Sequence, residues 1–333
     1  RMADLAEEVA RYYGYNKIDT TLMRGATTMG GYSETQKLEN AAGAAARAMG
    51  YSEIITYSFV SPSTFDSIRI PADSTLRKTV KLINPLGEDR SIMRTVILPS
   101  MLDILARNFA LKNKGVKLYE LGKIYLPVEG QTLPDEPKRL IFGTYGEHED
   151  FFSMKGEIVA LLEQLNAKPA TFVAEKQNPS YHPGRCANIL IDGKVMGVLG
   201  QIHPLIAENY GIGADVYVAE LDFTALEGAL EPERVFHSLP KFPTVTRDLA
   251  LVCDESITVG ALEDCIAEAG GKLLRKIDLF DIYRGPGIAP GKKSVAFSLE
   301  LRADDRTLTD EDSVNTVNRV LDALREKLDV VLR

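Results

Sequence analysis

Hydrophobic and polar residues alternate with strand and helix periods along the first 230 residues. Helical spacing covers residues 5–13, 35–49, 99–108 and 154–166, and the second of these helices follows a Ser33–Gln36 capping box. Shorter apolar runs predict strands at residues 54–59, 80–83, 116–121, 140–145, 187–191 and 216–221. Asp192-Gly193 predicts a hairpin turn after the fifth strand. Because strands and helices do not alternate regularly, the pattern predicts an α+β fold with an antiparallel sheet.

The last 95 or so residues carry a pattern of their own, after a predicted linker at Glu231-Pro232-Glu233. The predicted elements are strand 249–252, helix 259–268, strands 273–283 and 294–301, helix 310–327 and strand 330–332. Residues 309–312 provide a cap for the last helix, which has an apolar stripe. The order β-α-β-β-α-β predicts a ferredoxin-like domain.

Charge and cysteine content narrow the class of protein. The chain has 39 Lys and Arg against 47 Asp and Glu, a net charge of −8, which argues against a broad basic field for nucleic acid but allows a local basic stripe. The three cysteines are scattered, with no Cys-x-x-Cys pair, so we expect neither a disulfide framework nor a zinc site. No apolar run reaches the roughly 18–20 residues that span a bilayer. These features predict a cytoplasmic protein.

Catalytic motifs are missing from the sequence. It contains no nucleophile elbow, zinc-protease helix or Walker loop. The glycines of residues 285–291 resemble a phosphate loop only in number, because the prolines among them lack the N–H donors that hold phosphate. Residues 85–112, in which Leu98, Leu102, Leu105 and Phe109 lie near helical spacing, fit either part of a partner-facing surface or a buried core helix.

Two sets of residues are candidates for chemistry, and each has a structural alternative. Asp4, Glu7 and Glu8 lie at i, i+3 and i+4, on one face of the first predicted helix. Oxygen ligands of this kind suit Mg²⁺. Acids also favour a helix N-terminus electrostatically, without any metal, so spacing alone leaves both interpretations open.

The second set lies in the predicted ferredoxin-like domain. Arg284, Lys292 and Lys293 occur between residues 282 and 299 with no acid among them, Tyr283 precedes them, and Arg247 lies near the entry to the domain. Aromatic residues beside cations on an exposed sheet can stack unpaired bases and contact phosphates. The alternative is a solvated loop with core aromatics.

Motifs along the whole chain point to one family. They are residues 4–16 (DLAEEVARYYGYN), 84–86 (NPL), 93–95 (MRT), 98–102 (LPSML), 118–123 (LYELGK), 151–157 (FFSMKGE), 242–250 (FPTVTRDLA), 280–283 (FDIY) and 306–309 (RTLT). In this order they resemble the β subunits of bacterial phenylalanyl-tRNA synthetases. The likeness implies the carboxy-terminal part of such a subunit, with the family's editing site expected upstream.

The resemblance implies a domain layout and a division of labour. Residues 1–20 would end a helical domain, residues 21–232 would form an inactive domain of class II synthetase fold, and residues 240–333 would form the ferredoxin-fold anticodon-binding domain. The family's enzyme is an (αβ)₂ tetramer that attaches phenylalanine to tRNA(Phe) with ATP and Mg²⁺. The α subunit holds the active site and binds ATP. This chain is therefore expected to be a non-catalytic subunit of a ligase.

The resemblance also implies site residues. Asp4, Glu7 and Glu8 fall on the family's Mg²⁺ positions, and one further ligand of the family lies upstream of this sequence. The tRNA-binding residues are expected to be Arg247, Tyr283, Arg284, Lys292 and Lys293, of which the family motifs specify only Arg247 and Tyr283. The alternatives are a stand-alone RNA-binding or scaffold protein with a synthetase-like fold, and a self-sufficient metal-dependent enzyme.

Overall fold

The structure is a computed structural model that describes residues 1–27, 29–231, 234–236 and 238–333. The chain forms two compact units, Arg1–Arg234 and Val235–Arg333. Of the predicted linker, residues 232 and 233 lie outside the described ranges. None of the helices in those ranges combines the length and the apolar character needed to cross a membrane.

The helices of the first unit begin at local sequence signals. They are α1 (Met2–Tyr13), α2 (Glu34–Ala48), α3 (Thr64–Ser67), α4 (Leu98–Ala110), α5 (Phe151–Gln164), α6 (Pro204–Asn209) and α7 (Phe223–Glu227). At the start of α2 the Gln36 N–H donates to Ser33 Oγ and the Ser33 N–H donates to Gln36 Oε1, so the predicted capping box is confirmed. Pro99 lies in the first turn of α4, where its missing N–H costs no helical hydrogen bond.

A seven-stranded sheet organises the first unit. The strands of the unit are β1 (Ser52–Glu53), β2 (Phe59–Val60), β3 (Ile92–Met93), β4 (Val116–Lys123), β5 (Lys138–Tyr145), β6 (Ala170–Ala174), β7 (Tyr181–Ile191), β8 (Lys194–Ile202) and β9 (Tyr217–Asp222). The large sheet has the order β1-β4-β5-β9-β8-β7-β6 and is antiparallel except for the β1–β4 pair. The hairpin turn between β7 and β8 has positive φ at Asp192 and Gly193, as predicted.

The predicted strand at residues 54–59 is wrong. Glu53 ends β1, which pairs with β4, whereas Phe59 begins β2, which pairs with β3 in a separate two-stranded sheet. Between them the Thr56 hydroxyl donates to a carboxylate oxygen of Glu120 at 2.7 Å. The predicted strand at 80–83 is reduced to a single bridge between Lys81 and Ile92. Apolar alternation marked both segments as extended, but long-range partners determine whether extended backbone joins a sheet.

Both faces of the large sheet are buried against helices. Leu140 and Phe142 of β5 pack on the side of α2 and α5, and Ile141 packs on the side of α4, against Met101 and Leu105. This alternation follows from the two-residue period of a strand. The predicted α+β class with an antiparallel sheet domain is confirmed.

The second unit has the predicted ferredoxin-like order. Its elements are β10 (Val245–Asp254), α8 (Val259–Gly270), β11 (Leu274–Tyr283), β12 (Lys292–Leu301), α9 (Asp310–Leu328) and β13 (Val331–Leu332). The antiparallel sheet has the order β11-β12-β10-β13. Leu251 and Phe297 pack with Leu262 of α8 and Leu324 of α9, so both helices cover the same face of the sheet. The Asp312 N–H donates to Thr309 Oγ1 at the start of α9, which confirms the predicted cap.

Candidate nucleic-acid interface

Strand register places two of the five predicted RNA-binding residues on the sheet face opposite α8 and α9, called here the outer face. Val295 and Phe297 of β12 point into the helix-covered core, so Lys292 and Ser294 point the other way. Tyr283 is the register partner of Ser294 across β11 and β12. Directly paired residues share a face, so Tyr283 and Lys292 both belong to the outer face.

Tyr283 is held in place from two sides. Its hydroxyl donates to the Pro286 carbonyl oxygen at 3.2 Å, within the loop after β11. The guanidinium carbon of Arg333 lies 5.2 Å from the centroid of its ring, and the Arg333 N–H donates to the Ala250 carbonyl at 2.8 Å. The sequence reasoning did not select Arg333. The sequence predicted the terminal strand at 330–332, but only the pairing of β13 with β10 brings the residue that follows it to Tyr283.

Arg284 and Lys293 are both bound to one residue, Glu255, which follows β10. Arg284 donates from Nη2 at 2.7 Å and from Nε at 3.0 Å to Glu255 Oε1. This hydrogen bonding lowers the pKa of Glu255 and raises that of Arg284. Lys293 is 6% exposed, and its Nζ donates to the Glu255 carbonyl at 3.1 Å. The run of residues 282–299 contains no acid, but Glu255, directly after β10, supplies a carboxylate to it.

Lys292 has a different environment. It is half-buried, and its register partner across β10 and β12 is Asp254. Hydrogen bonds from the Ser256 N–H and hydroxyl lower the pKa of Asp254, with smaller contributions from Lys292 and Lys293. Lys292 thus lies on the outer face opposite Asp254, at the end of β12 that directly follows the 285–291 loop.

Arg247 lies on the other side of the sheet. Its register partner is Leu299, a core residue beneath the helices. Arg247 Nη2 donates to Ser313 Oγ at 3.0 Å and lies 3.5 Å from Asp310 Oδ1, at the start of α9. The structure therefore brings Tyr283 and Lys292 together on the outer face and separates Arg247 from them. The RNA-binding role of each residue stays a prediction.

The acidic residues of α1 do not form a metal site by themselves. No residue of α1 is buried, and Glu8 pairs with Arg11 at 2.6 Å. Asp4 pairs with the Arg1 amine at 2.5 Å. Across the described ranges, no group of three His, Cys, Asp or Glu side chains is close enough to hold a metal ion. The carboxylates have suitable chemistry for Mg²⁺, but the assignment of Asp4, Glu7 and Glu8 stays a prediction that needs ligands from other chain segments.

A buried ion pair supports the sheet of the first unit. Arg94 and Glu120 are 2% and 3% exposed, with Arg94 Nη2 donating to Glu120 Oε1 at 3.0 Å. Arg94 Nη1 donates to the Thr56 hydroxyl at 2.7 Å, and Nε donates to the Lys123 carbonyl at 2.9 Å. All three nitrogens of this guanidinium have protein partners, so Arg94 serves the fold and is not presented to a phosphate.

Comparison with known families accounts for nearly the whole chain. A family model described as the phenylalanyl tRNA synthetase beta chain CLM domain matches residues 18–223, and one described as the ferredoxin-fold anticodon binding domain matches residues 240–333. The phenylalanine–tRNA ligase beta subunit of Clostridium acetobutylicum is 42% identical over 331 residues, which is 99% of this chain and 42% of that protein. The same subunit of Bacillus subtilis is 38% identical over 341 residues, which is again 99% of this chain and 42% of that protein.

The chain thus spans about two fifths of the length of these curated relatives. Among solved structures, the pyrrolysyl-tRNA synthetase of Desulfitobacterium hafniense is similar with a TM-score of 0.48 and 16% identity, covering 58% of this chain and 68% of that one.

Proposed function

Because the chain belongs to the family of phenylalanyl-tRNA synthetase beta chains, we propose that it is a non-catalytic part of such a subunit. It pairs with an α subunit in an (αβ)₂ tetramer and binds tRNA(Phe) for the ATP-dependent attachment of phenylalanine. The α subunit binds ATP and carries the active site, and the complex works in the cytoplasm with Mg²⁺. The identity of 37–42% to the beta subunits over almost the whole chain does not favour a stand-alone RNA-binding protein.

The observation that carries the proposal is the second unit. Residues 240–333 match the anticodon-binding family and fold as one ferredoxin-like body. Its outer face presents Tyr283, with Arg333 over the ring, and Lys292 at the same end of the sheet. An aromatic ring can stack an unpaired base, and the two cations can contact phosphates on either side of it.

The proposed contribution to the reaction is positional. Contacts to the anticodon arm use binding energy far from the reacting groups to orient the acceptor end in the partner's active site. Arg94 and Glu120 neutralise each other inside the core of the first unit. The chain itself makes and breaks no bond in this scheme.

The test is reconstitution with the α subunit of the same organism. We expect the two chains to co-purify, and tRNA(Phe) binding to weaken as salt rises, because phosphate contacts release counterions. Failure to associate at micromolar concentration would refute the pairing. A monomer that binds tRNA with unchanged affinity whether or not α is present would favour the stand-alone alternative. ATP–pyrophosphate exchange by the isolated chain would refute the non-catalytic role.

A further inference from the structure

A cavity of about 530 Å³ lies within the first unit. It is on the side of the large sheet that packs against α4, and Ile68, Ile70 and Ile124 form part of its aliphatic lining. Its volume falls in the range of about 300–1,000 Å³ that is typical of small-molecule sites. None of the predicted metal or RNA-binding residues lines it, so the proposed function makes no use of it.

Tyr181 is an unsatisfied polar group in this lining. It is 3% exposed, and its hydroxyl has no hydrogen-bond partner among the residues that the structure describes. Buried hydroxyls are normally paired, because an unpaired one loses its bonds to water without replacement. Burial, and next the charge of Glu220, raise the pKa of Tyr181 well above its ordinary value. The hydroxyl is therefore neutral, buried and without a partner among the described residues.

Glu220 of β9 is the second available group. Its side chain is 19% exposed, and its Oε1 lies 3.9 Å from Arg139 Nε, beyond hydrogen-bond distance. Arg139 instead pairs through Nη1 with Asp222. The described lining therefore holds two carboxylates against one guanidinium. Burial raises the pKa of Glu220 to about 7, because the loss of hydration outweighs the opposing charges of Arg139 and Arg94.

The other side chains around the cavity use their polar groups in the fold. Ser180 Oγ donates to the Ile68 carbonyl at 2.7 Å, and Asn188 Nδ2 donates to Glu175 Oε2 at 2.8 Å. Thr95 Oγ1 donates to the Leu76 carbonyl. Arg139 Nη1 lies against Asp222 in an ion pair but makes no hydrogen bond within the described part of the chain. The polar groups of the described lining that lack a hydrogen bond are thus this N–H, the Tyr181 hydroxyl and the Glu220 carboxylate, and the two carboxylates outnumber the one guanidinium.

We propose that this cavity binds a small molecule with a primary ammonium group on an aliphatic body. The ammonium donates to the Glu220 carboxylate and the Tyr181 hydroxyl, and the aliphatic body lies against the isoleucines. An anion of the same shape would meet the carboxylates of Glu220 and Asp222, and a neutral alcohol would leave the Glu220 charge without a partner. A free amine and an amino acid share the ammonium group, and the experiment distinguishes them.

The test is calorimetric titration of the full chain at pH 8, where Glu220 is mostly ionised. The probes are 3-methylbutan-1-amine, 3-methylbutan-1-ol, 4-methylpentanoate and leucine, which is the first probe with an added carboxylate. We expect the amine to bind at least about tenfold more tightly than the alcohol, and the anion not to bind. Equal binding of amine and alcohol, or no amine binding up to about 10 mM, would overturn the proposal.

Variants locate the site and control for folding. Glu220→Gln is expected to weaken the amine at least about tenfold and Tyr181→Phe about fivefold, since each removes one partner of the ammonium. The matched controls Glu129→Gln and Tyr32→Phe alter exposed residues that do not line the cavity, and amine binding should be unchanged in both. Undiminished binding of the amine by folded Glu220→Gln refutes the site. Leucine binding more tightly than the amine assigns an amino acid as the ligand, and weaker binding assigns a free amine.

Discussion

Replacing Glu220 with glutamine is expected to stabilise the first unit at pH 8 and to leave it almost unchanged at pH 5. The pKa of Glu220 is raised from 4.5 to about 7, mainly by burial. The unfolded chain therefore releases this proton near pH 4.5, whereas the folded chain keeps it until about pH 7. Between those values the folded state binds more protons, so the free energy of unfolding falls as pH rises. Glutamine cannot ionise and removes that dependence.

The magnitude follows from the two pKa values. At about 1.4 kcal/mol per pH unit, the interval from 4.5 to about 7 corresponds to a total loss of about 3 kcal/mol, most of it between pH 5 and pH 8. The charged neighbours Arg139, Arg94 and Asp222, and the titratable Tyr181, are present in both proteins. Their contributions to the free energy of unfolding are therefore the same in both proteins and cancel in the difference.

The assay is urea unfolding of the unmodified chain and the variant at pH 5 and pH 8, with hydrogen exchange of the β5 and β9 peptides to isolate the first unit. Glu129→Gln, an exposed position, serves as the control and should follow the unmodified chain at both pH values. The reasoning would be refuted if the free energies of unfolding of Glu220→Gln and the unmodified chain differed by the same amount at both pH values. It would also be refuted if the variant were less stable than the unmodified chain at pH 8.

Three further predictions concern the outer face and the buried ion pair. Lys292→Ala should weaken tRNA(Phe) binding and lower the slope of log affinity against log salt by about 1. Lys293→Ala should leave this slope unchanged, because the Lys293 ammonium already donates to the Glu255 carbonyl. Equal slopes for the two variants would contradict this prediction. Tyr283→Ala should reduce the free energy of tRNA binding by roughly 1–3 kcal/mol while Tyr283→Phe retains it, measured by filter binding, because base stacking needs only the ring. Arg94→Met should cost about 3–5 kcal/mol in urea unfolding, because Glu120 is left as an unpaired buried charge; adding Glu120→Gln should restore part of that loss.

Local signals determined much of this fold in advance. The capping boxes at Ser33 and Thr309 start α2 and α9 as predicted, and Asp192-Gly193 forms the turn between β7 and β8. The β-α-β-β-α-β order of the second unit also follows from its sequence pattern. These features were predictable because caps, turns and periodicity depend on residues within a few positions of one another. Membership of the family likewise followed from ordered motifs.

Contacts between distant segments were decided by the tertiary structure alone. The acid-free run around Arg284 and Lys293 meets Glu255 from the end of β10. Arg247 turns towards α9, away from the face that carries Tyr283. The apolar residues Leu98, Leu102 and Leu105, for which both a partner surface and a buried helix were open, are almost completely buried within the first unit.

The cavity is the clearest example of the same limit. Ile68 precedes Tyr181 by more than a hundred residues, and Tyr181 precedes Glu220 by about forty. No local sequence pattern connects the three. Their meeting depends on the order and register of the strands and on the packing of the segment before α4. Sequence patterns report which residues prefer to be buried and extended, whereas pairing across the sheet decides which polar groups inside the core find partners.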